Sequence, residues 1–105
     1  MATTVSINGS VRRTLAEGDP AIVSRVRFQV SSASSLAMDV QAAVGSGANL
    51  TFGDIVYTNV LSGATVAAGT DITADGVYEV DASGLTIALL PSAGKAQVSY
   101  VVLLG

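Results

Sequence analysis

The chain of 105 residues contains no cysteine, no histidine and no tryptophan. Without cysteine there are no disulfides, no zinc–thiolate sites and no thiol nucleophile, so folding does not depend on redox state. Without histidine, both the usual general base near neutral pH and the commonest metal ligand are missing. Charge is scarce as well: 12% of residues are charged, about half the typical fraction of roughly 25%. The formal net charge is −3 with a single lysine. That leaves no basic footprint for a phosphate backbone, and nucleic acid is not an expected partner. The longest strongly apolar stretch, "YVVLLG", falls far short of the roughly 20 residues that span a bilayer, so no membrane partner is expected. "MATTVSINGSVRR" carries its arginines after its apolar residues and does not read as a secretory signal.

Half of the residues are hydrophobic, which is too apolar for disorder and short of charge for a solitary monomer. A surface this poor in charge is either rich in Ser, Thr, Gly and Ala or covered in part by other chains. A chain of this length suits one domain spanning residues 1–105, able to bury roughly two-thirds of its unfolded surface.

The periodicity is that of strands. In "AIVSRVRFQV", residues 21 to 30, Ile22, Val26, Phe28 and Val30 share one face and Arg25, Arg27 and Gln29 the other. "LAMDVQAAV" places Leu36, Met38, Val40, Ala42 and Val44 opposite Asp39 and Gln41. Its Ala, Leu, Met and Gln content also suits a short helix, but alternation favours a strand. Asn8-Gly9 lies between two β-forming runs and predicts a hairpin of strands 3–7 and 10–15. "SSASS" at 31 to 35 reads as a connector, and "PSAGK" at 91 to 95 as a last turn before a closing strand. "EGDP" and "GSGAN" read as turns, and Gly53-Asp54 as an interruption in the β-run of 50 to 61. A short strand is expected near 64–67, followed by a hairpin of 77–81 and 85–90 across "DASG". The sum is about eight short antiparallel strands with no long helix, an all-β, single-domain β-sandwich of jelly-roll character.

The acidic residues cluster in "DITADGVYEVD". Asp71, Asp75, Glu79 and Asp81 offer oxygens for a calcium ion, which takes about six to eight. Their spacing does not match an EF-hand loop, and solvent-facing strand positions around an Ala-Asp-Gly turn account for them better. Serines have no histidine partner, no GxSxG elbow and no SxxK pairing, so no enzyme activity, catalytic residue, metal or cofactor is expected. Six charged residues remain as candidates for contact with another chain. Arg25 and Arg27 project side by side from a strand, facing either cross-strand acids or an acidic neighbour. Glu79 and Asp81 share a face of their strand, and Arg12 and Arg13 lie close to Glu17 and Asp19.

"ITADGVYEVDASGLTIAL" followed by "GKAQVSYVVLL" resembles the strand pair and closing strand of small all-β virion proteins of tailed bacteriophages, over roughly the last third of the chain. The resemblance implies a β-sandwich or jelly roll that works by assembly and brings no catalytic residues. The expectation is a capsid decoration or cement protein on the virion surface, made in the host cytoplasm. It would form a homo-oligomer, with a trimer favoured by analogy with capsid symmetry, bound to the major capsid protein or another virion protein. A tail or fibre-attachment subunit is one alternative. A carbohydrate-binding β-sandwich module is another, and it would need exposed aromatics such as Tyr57 or Tyr78.

Overall fold

A computed structural model describes residues 3–16, 23–44 and 49–104. These form eight strands: β1 Thr3–Asn8, β2 Arg13–Ala16, β3 Val23–Val44, β4 Gly53–Asp54, β5 Tyr57–Asn59, β6 Thr65–Val66, β7 Gly76–Asp81 and β8 Leu85–Leu104. All pairings are antiparallel and belong to one sheet in the order β1-β8-β3-β7-β5-β6, with β2 also on β8 and β4 also on β3. The expected all-β class and the number of strands are borne out. The layers, however, are made by one continuous sheet.

The spine of that sheet is the pair β3–β8, with strands of 22 and 20 residues. A straight strand of that length would run roughly 70 Å, whereas the longest dimension of the molecule is 36 Å. The ribbon therefore bends, and the bend falls where the sequence suggested a connector and a turn. Between Ser31 and Ala37, β3 advances six residues while β8 retreats four, from Gln97 to Ala93, so β3 carries two extra residues. Ser32 and Ser35 absorb them in left-handed conformations, with φ of 55° and 51°. From Ala37 to Met38 the imbalance reverses, and β8 carries one extra residue before Pro91. "SSASS" and "PSAGK" are therefore bulged strand, not connector and turn; bulges bend a strand without ending its ladder.

The count of bulges also sets which residues face inward. Two extra residues leave the parity of β3 unchanged, so Val26, Phe28 and Val30 before the bend and Leu36, Met38 and Val40 after it are all buried. One extra residue flips the parity of β8, so Ile87 and Leu89 are inward on one side of the bend and Ala96 and Val98 on the other. Both halves close on one core with Ile7, Leu15, Ile72, Tyr78 and Val80. Phe28, Tyr78 and Tyr57 form its aromatic centre, with ring centroids 5.6 Å and 5.8 Å apart. Val44, expected on the core side, is 83% exposed at the end of its strand.

Three further expectations are corrected. The strands on either side of "DASG" do not form a hairpin with each other: β7 pairs with β3 and β5, and β8 lies on the opposite edge of β3, so β3 separates them. β1 and β2 do not form a hairpin with each other. Asn8-Gly9 joins two strands that lie end to end along the same edge of β8, β1 on residues 95–100 and β2 on residues 87–89. Gly9 is left-handed, at φ 65°, but Asn8 stays in the β1 ladder opposite Lys95, so the two-residue turn with both residues left-handed does not form. Gly53-Asp54 does not interrupt a strand; it is the paired segment, with Gln41 opposite Asp54 and Ala42 opposite Gly53. Turns expected over 17–20 and 45–48 lie outside the described residues.

Gly94 is the tightest point of the bend. Its φ is 75°, and a Cβ there would collide with the carbonyl oxygens of Ser34 and Ser35. Gly94→Ala is expected to lower stability by about 2–4 kcal/mol, combining backbone strain with steric conflict. At Gly53 nothing lies within 4 Å of a built Cβ, and Gly53→Ala is expected to change stability by less than about 0.5 kcal/mol. Urea denaturation midpoints of the two variants measure the contrast.

Candidate functional site

The six charged residues singled out in the sequence fall in two places. Arg25, Arg27, Glu79 and Asp81 come together on the outward face of β3 and β7. There the ladder sets Arg27 opposite Glu79 and Arg25 opposite Asp81, while Val26, Phe28, Tyr78 and Val80 turn inward. Arg27 binds Glu79 Oε2 with both Nε at 2.8 Å and Nη2 at 2.6 Å. Arg25 Nη1 reaches Glu79 Oε1 at 3.2 Å. Asp81, although opposite Arg25 in register, accepts a short hydrogen bond from the Ser83 hydroxyl. Two arginines thus share one carboxylate, and both remain about half exposed, at 51% and 47%.

Beyond Arg25 and Arg27 across β3, the ladder brings Leu103 and Val101 of β8, both half-buried. Arg27, Gln29, Val77, Ser99 and Val101 border a shallow depression of about 180 Å³ on this surface. The surface therefore combines an arginine pair that shares one carboxylate, an apolar strip and a polar margin that includes a Thr4 to Ser99 hydroxyl contact of 3.0 Å. Such a mixture suits contact with a protein surface that offers carboxylates. Sequence periodicity found the charged half; the apolar half lies in the run "YVVLLG", whose uniformly apolar residues carry no alternation to mark a face.

Arg12 and Arg13 are elsewhere. Arg12 donates from Nε to Gln41 Oε1 at 3.2 Å, and its guanidinium carbon lies 4.2 Å from the centroid of the Phe52 ring. Gln41 in turn donates to Asp54 Oδ1 at 3.4 Å. Arg12 thus covers the outer face of β3 after the bend. Arg13 is exposed on β2, opposite Leu89. Glu17 and Asp19, weighed as their partners, lie outside the described residues.

The four acids considered for calcium each engage different groups. Asp75 Oδ1 accepts from the Ala33 backbone N–H at 2.9 Å, Glu79 holds the arginines, Asp81 takes Ser83, and Asp71 faces Asp39. Among the described residues no group of three or more acids is arranged to hold a metal ion. Tyr57 and Tyr78, weighed as sugar platforms, are 4% and 7% exposed. Their hydroxyls donate to the carbonyls of Thr70 and Ala74, and burial raises the pKa of both, that of Tyr57 to about 12.

The chain was compared with known proteins by sequence and by structure. No family model matches it, and no curated protein matches it. One solved structure is similar throughout: the crystal structure of SPBc2 prophage-derived protein YomS, with a TM-score of 0.63 and 15% identity. The similarity covers 100% of this chain and 96% of that one. The two share a fold.

Glu79 experiences opposing effects. Burial pushes its pKa up, but the hydrogen bonds and charges of Arg27 and Arg25 together outweigh it and hold the carboxyl below its ordinary 4.5. A lowered folded pKa contributes stability that is present above the unfolded value and is lost as pH falls through the folded one. Glu79→Gln is expected to cost about 1 kcal/mol at pH 7, a modest figure because both arginines are solvated. The variant is also expected to flatten the decline in stability below about pH 4.5. Denaturant titrations at several pH values between 3 and 7 read both effects.

Proposed function

We propose that this chain is a non-catalytic structural protein of a bacteriophage particle: a decoration or cement protein that docks on the major capsid protein as a homo-oligomer, with a trimer favoured. The observation that carries the reading is the outer face of β8, β3 and β7. There Arg25 and Arg27 share the single carboxylate of Glu79 beside the apolar strip of Val101 and Leu103. A carboxylate from a neighbouring chain would give the two half-exposed guanidinium groups a second acceptor, and apposition would remove the strip from water. Desolvation by a partner strengthens such a pair, whereas in water it contributes little. The fold shared with a prophage-derived protein supports the particle context, as does the low charge content of the chain.

Binding to purified particles of the phage or prophage that encodes the chain tests the reading, with co-sedimentation as the readout. Arg25→Glu is expected to weaken binding at least about tenfold, whereas Arg13→Glu, away from this face, is expected to change it less than about twofold. Sedimentation velocity of the isolated protein checks the oligomer; a monomer at high concentration would remove the trimer. Absence of the chain from purified particles would sink the proposal. Antibody labelling on tails instead of heads would replace decoration with a tail or fibre-attachment role.

A further inference from the structure

The segment between β6 and β7 touches the core through one residue. Ile72 is 2% exposed and forms an isolated antiparallel bridge with Met38 of β3. The Ile72 N–H donates to the Met38 carbonyl at 2.8 Å, and the Met38 N–H to the Ile72 carbonyl at 3.1 Å. Antiparallel geometry then sets the next residue on β3, Asp39, directly opposite the preceding residue of the segment, Asp71. Ile72 and Met38 point into the core, so the two aspartates point outward together.

Two carboxyl groups in this position cannot both be ionised cheaply. Asp39 Oδ1 is buried with no hydrogen-bond partner, and the Asp71 side chain lies within hydrogen-bonding reach of the Asp39 carboxyl. Asp54, on β4 opposite Gln41, adds a third negative charge from the same edge of β3. The groups packed around the pair give little relief. Tyr57 is held neutral, the hydroxyl of that tyrosine is engaged by the Thr70 carbonyl, and Arg12 is engaged by Gln41 and the Phe52 ring. Leu90, the partner of Asp39 on β8, is apolar.

We infer that Asp39 and Asp71 act as a hydrogen-bonded latch, which holds Ile72 and its flanking residues on β3 in mildly acidic solution and loosens them when Asp39 ionises. Asp39 donates its O–H to the Asp71 carboxylate while it holds its proton. Loss of that proton leaves two like charges facing each other beside Asp54. A hydrogen bond with Asp71, burial, and the charges of Asp71 and Asp54 raise the pKa of Asp39 from 3.8 to about 6. Because the folded value is raised, the contribution of the latch is present at low pH and is lost as pH rises through about 6. The switch is local. Thr70 and Ala74 stay tied to Tyr57 and Tyr78, and Asp75 to Ala33, so the segment loosens between fixed points.

Amide hydrogen exchange followed by NMR tests the inference, with rates corrected for intrinsic pH dependence. Protection of the Ile72 and Met38 amides is expected to fall at least about tenfold between pH 5 and pH 7.5, the change that follows from one unit of differential pKa. Protection of Phe28, before the bend, is expected to stay constant. Asp39→Asn supplies a permanent donor to Asp71, so Ile72 protection should become independent of pH; Asp71→Asn is expected to do the same from the other side. Flat protection in the wild-type protein, or a slope that persists in both variants, would overturn the latch.

Discussion

Everything in this molecule depends on the bend in the β3–β8 ribbon. A sheet has two faces, and a single sheet buries one of them only if it folds over or finds a partner. Here the fold-over is written into a few residues: Ser32 and Ser35 in left-handed conformations, and Gly94 against the carbonyls of Ser34 and Ser35. Serine is a poor choice for that conformation by sterics alone, at roughly 1–2 kcal/mol per residue. The cost is offset by the core that the bend closes, which runs from Ile7 through Phe28 to Leu89. The position of β2, the arginine face and the Ile72 bridge all depend on where that bend falls.

The strands themselves were legible because period-2 alternation is a local signal. Val26, Phe28 and Val30, and Leu36, Met38 and Val40, were assigned to the core from spacing alone, and they are buried. The continuity of the ribbon was not legible, because bulges and turns draw on the same small, polar and glycine-containing stretches. Parity gave one clue. Inward positions on β8 change from odd to even across "PSAGK", which either a turn or a single bulge explains. The Asn8-Gly9 hairpin failed for a related reason: only Gly9 took the left-handed conformation, and β8, far along the chain, decided the partners of β1 and β2.

The candidate surface divides in the same way. Arg25, Arg27 and Glu79 were found because each repeats along its own strand, and register then joined them. Sequence could not indicate that Arg12 would lie on Phe52, or that Asp39 would meet Asp71, since both contacts join segments with no shared periodicity. The scarcity of charge in the chain makes these arrangements easier to interpret. With 12% of residues charged, few carboxylates are available, and most of those described already have a specific counterpart.

The ladder between β1 and β8 pairs Thr3 with Tyr100 and Asn8 with Lys95. Of the eight strands, the first in chain order is thus hydrogen-bonded to the last. On the ribosome, β1 emerges long before its template, and β3 also waits for β7 and β8. Pairings this distant in sequence close slowly, because loop entropy must be lost before any contact compensates it. The uncharged "TTVSIN" of β1 spends that interval as an unmatched strand. Productive folding of this protein is therefore a race between ring closure within one chain and pairing between chains, and the tempo is set by chain order rather than by the strength of the finished core.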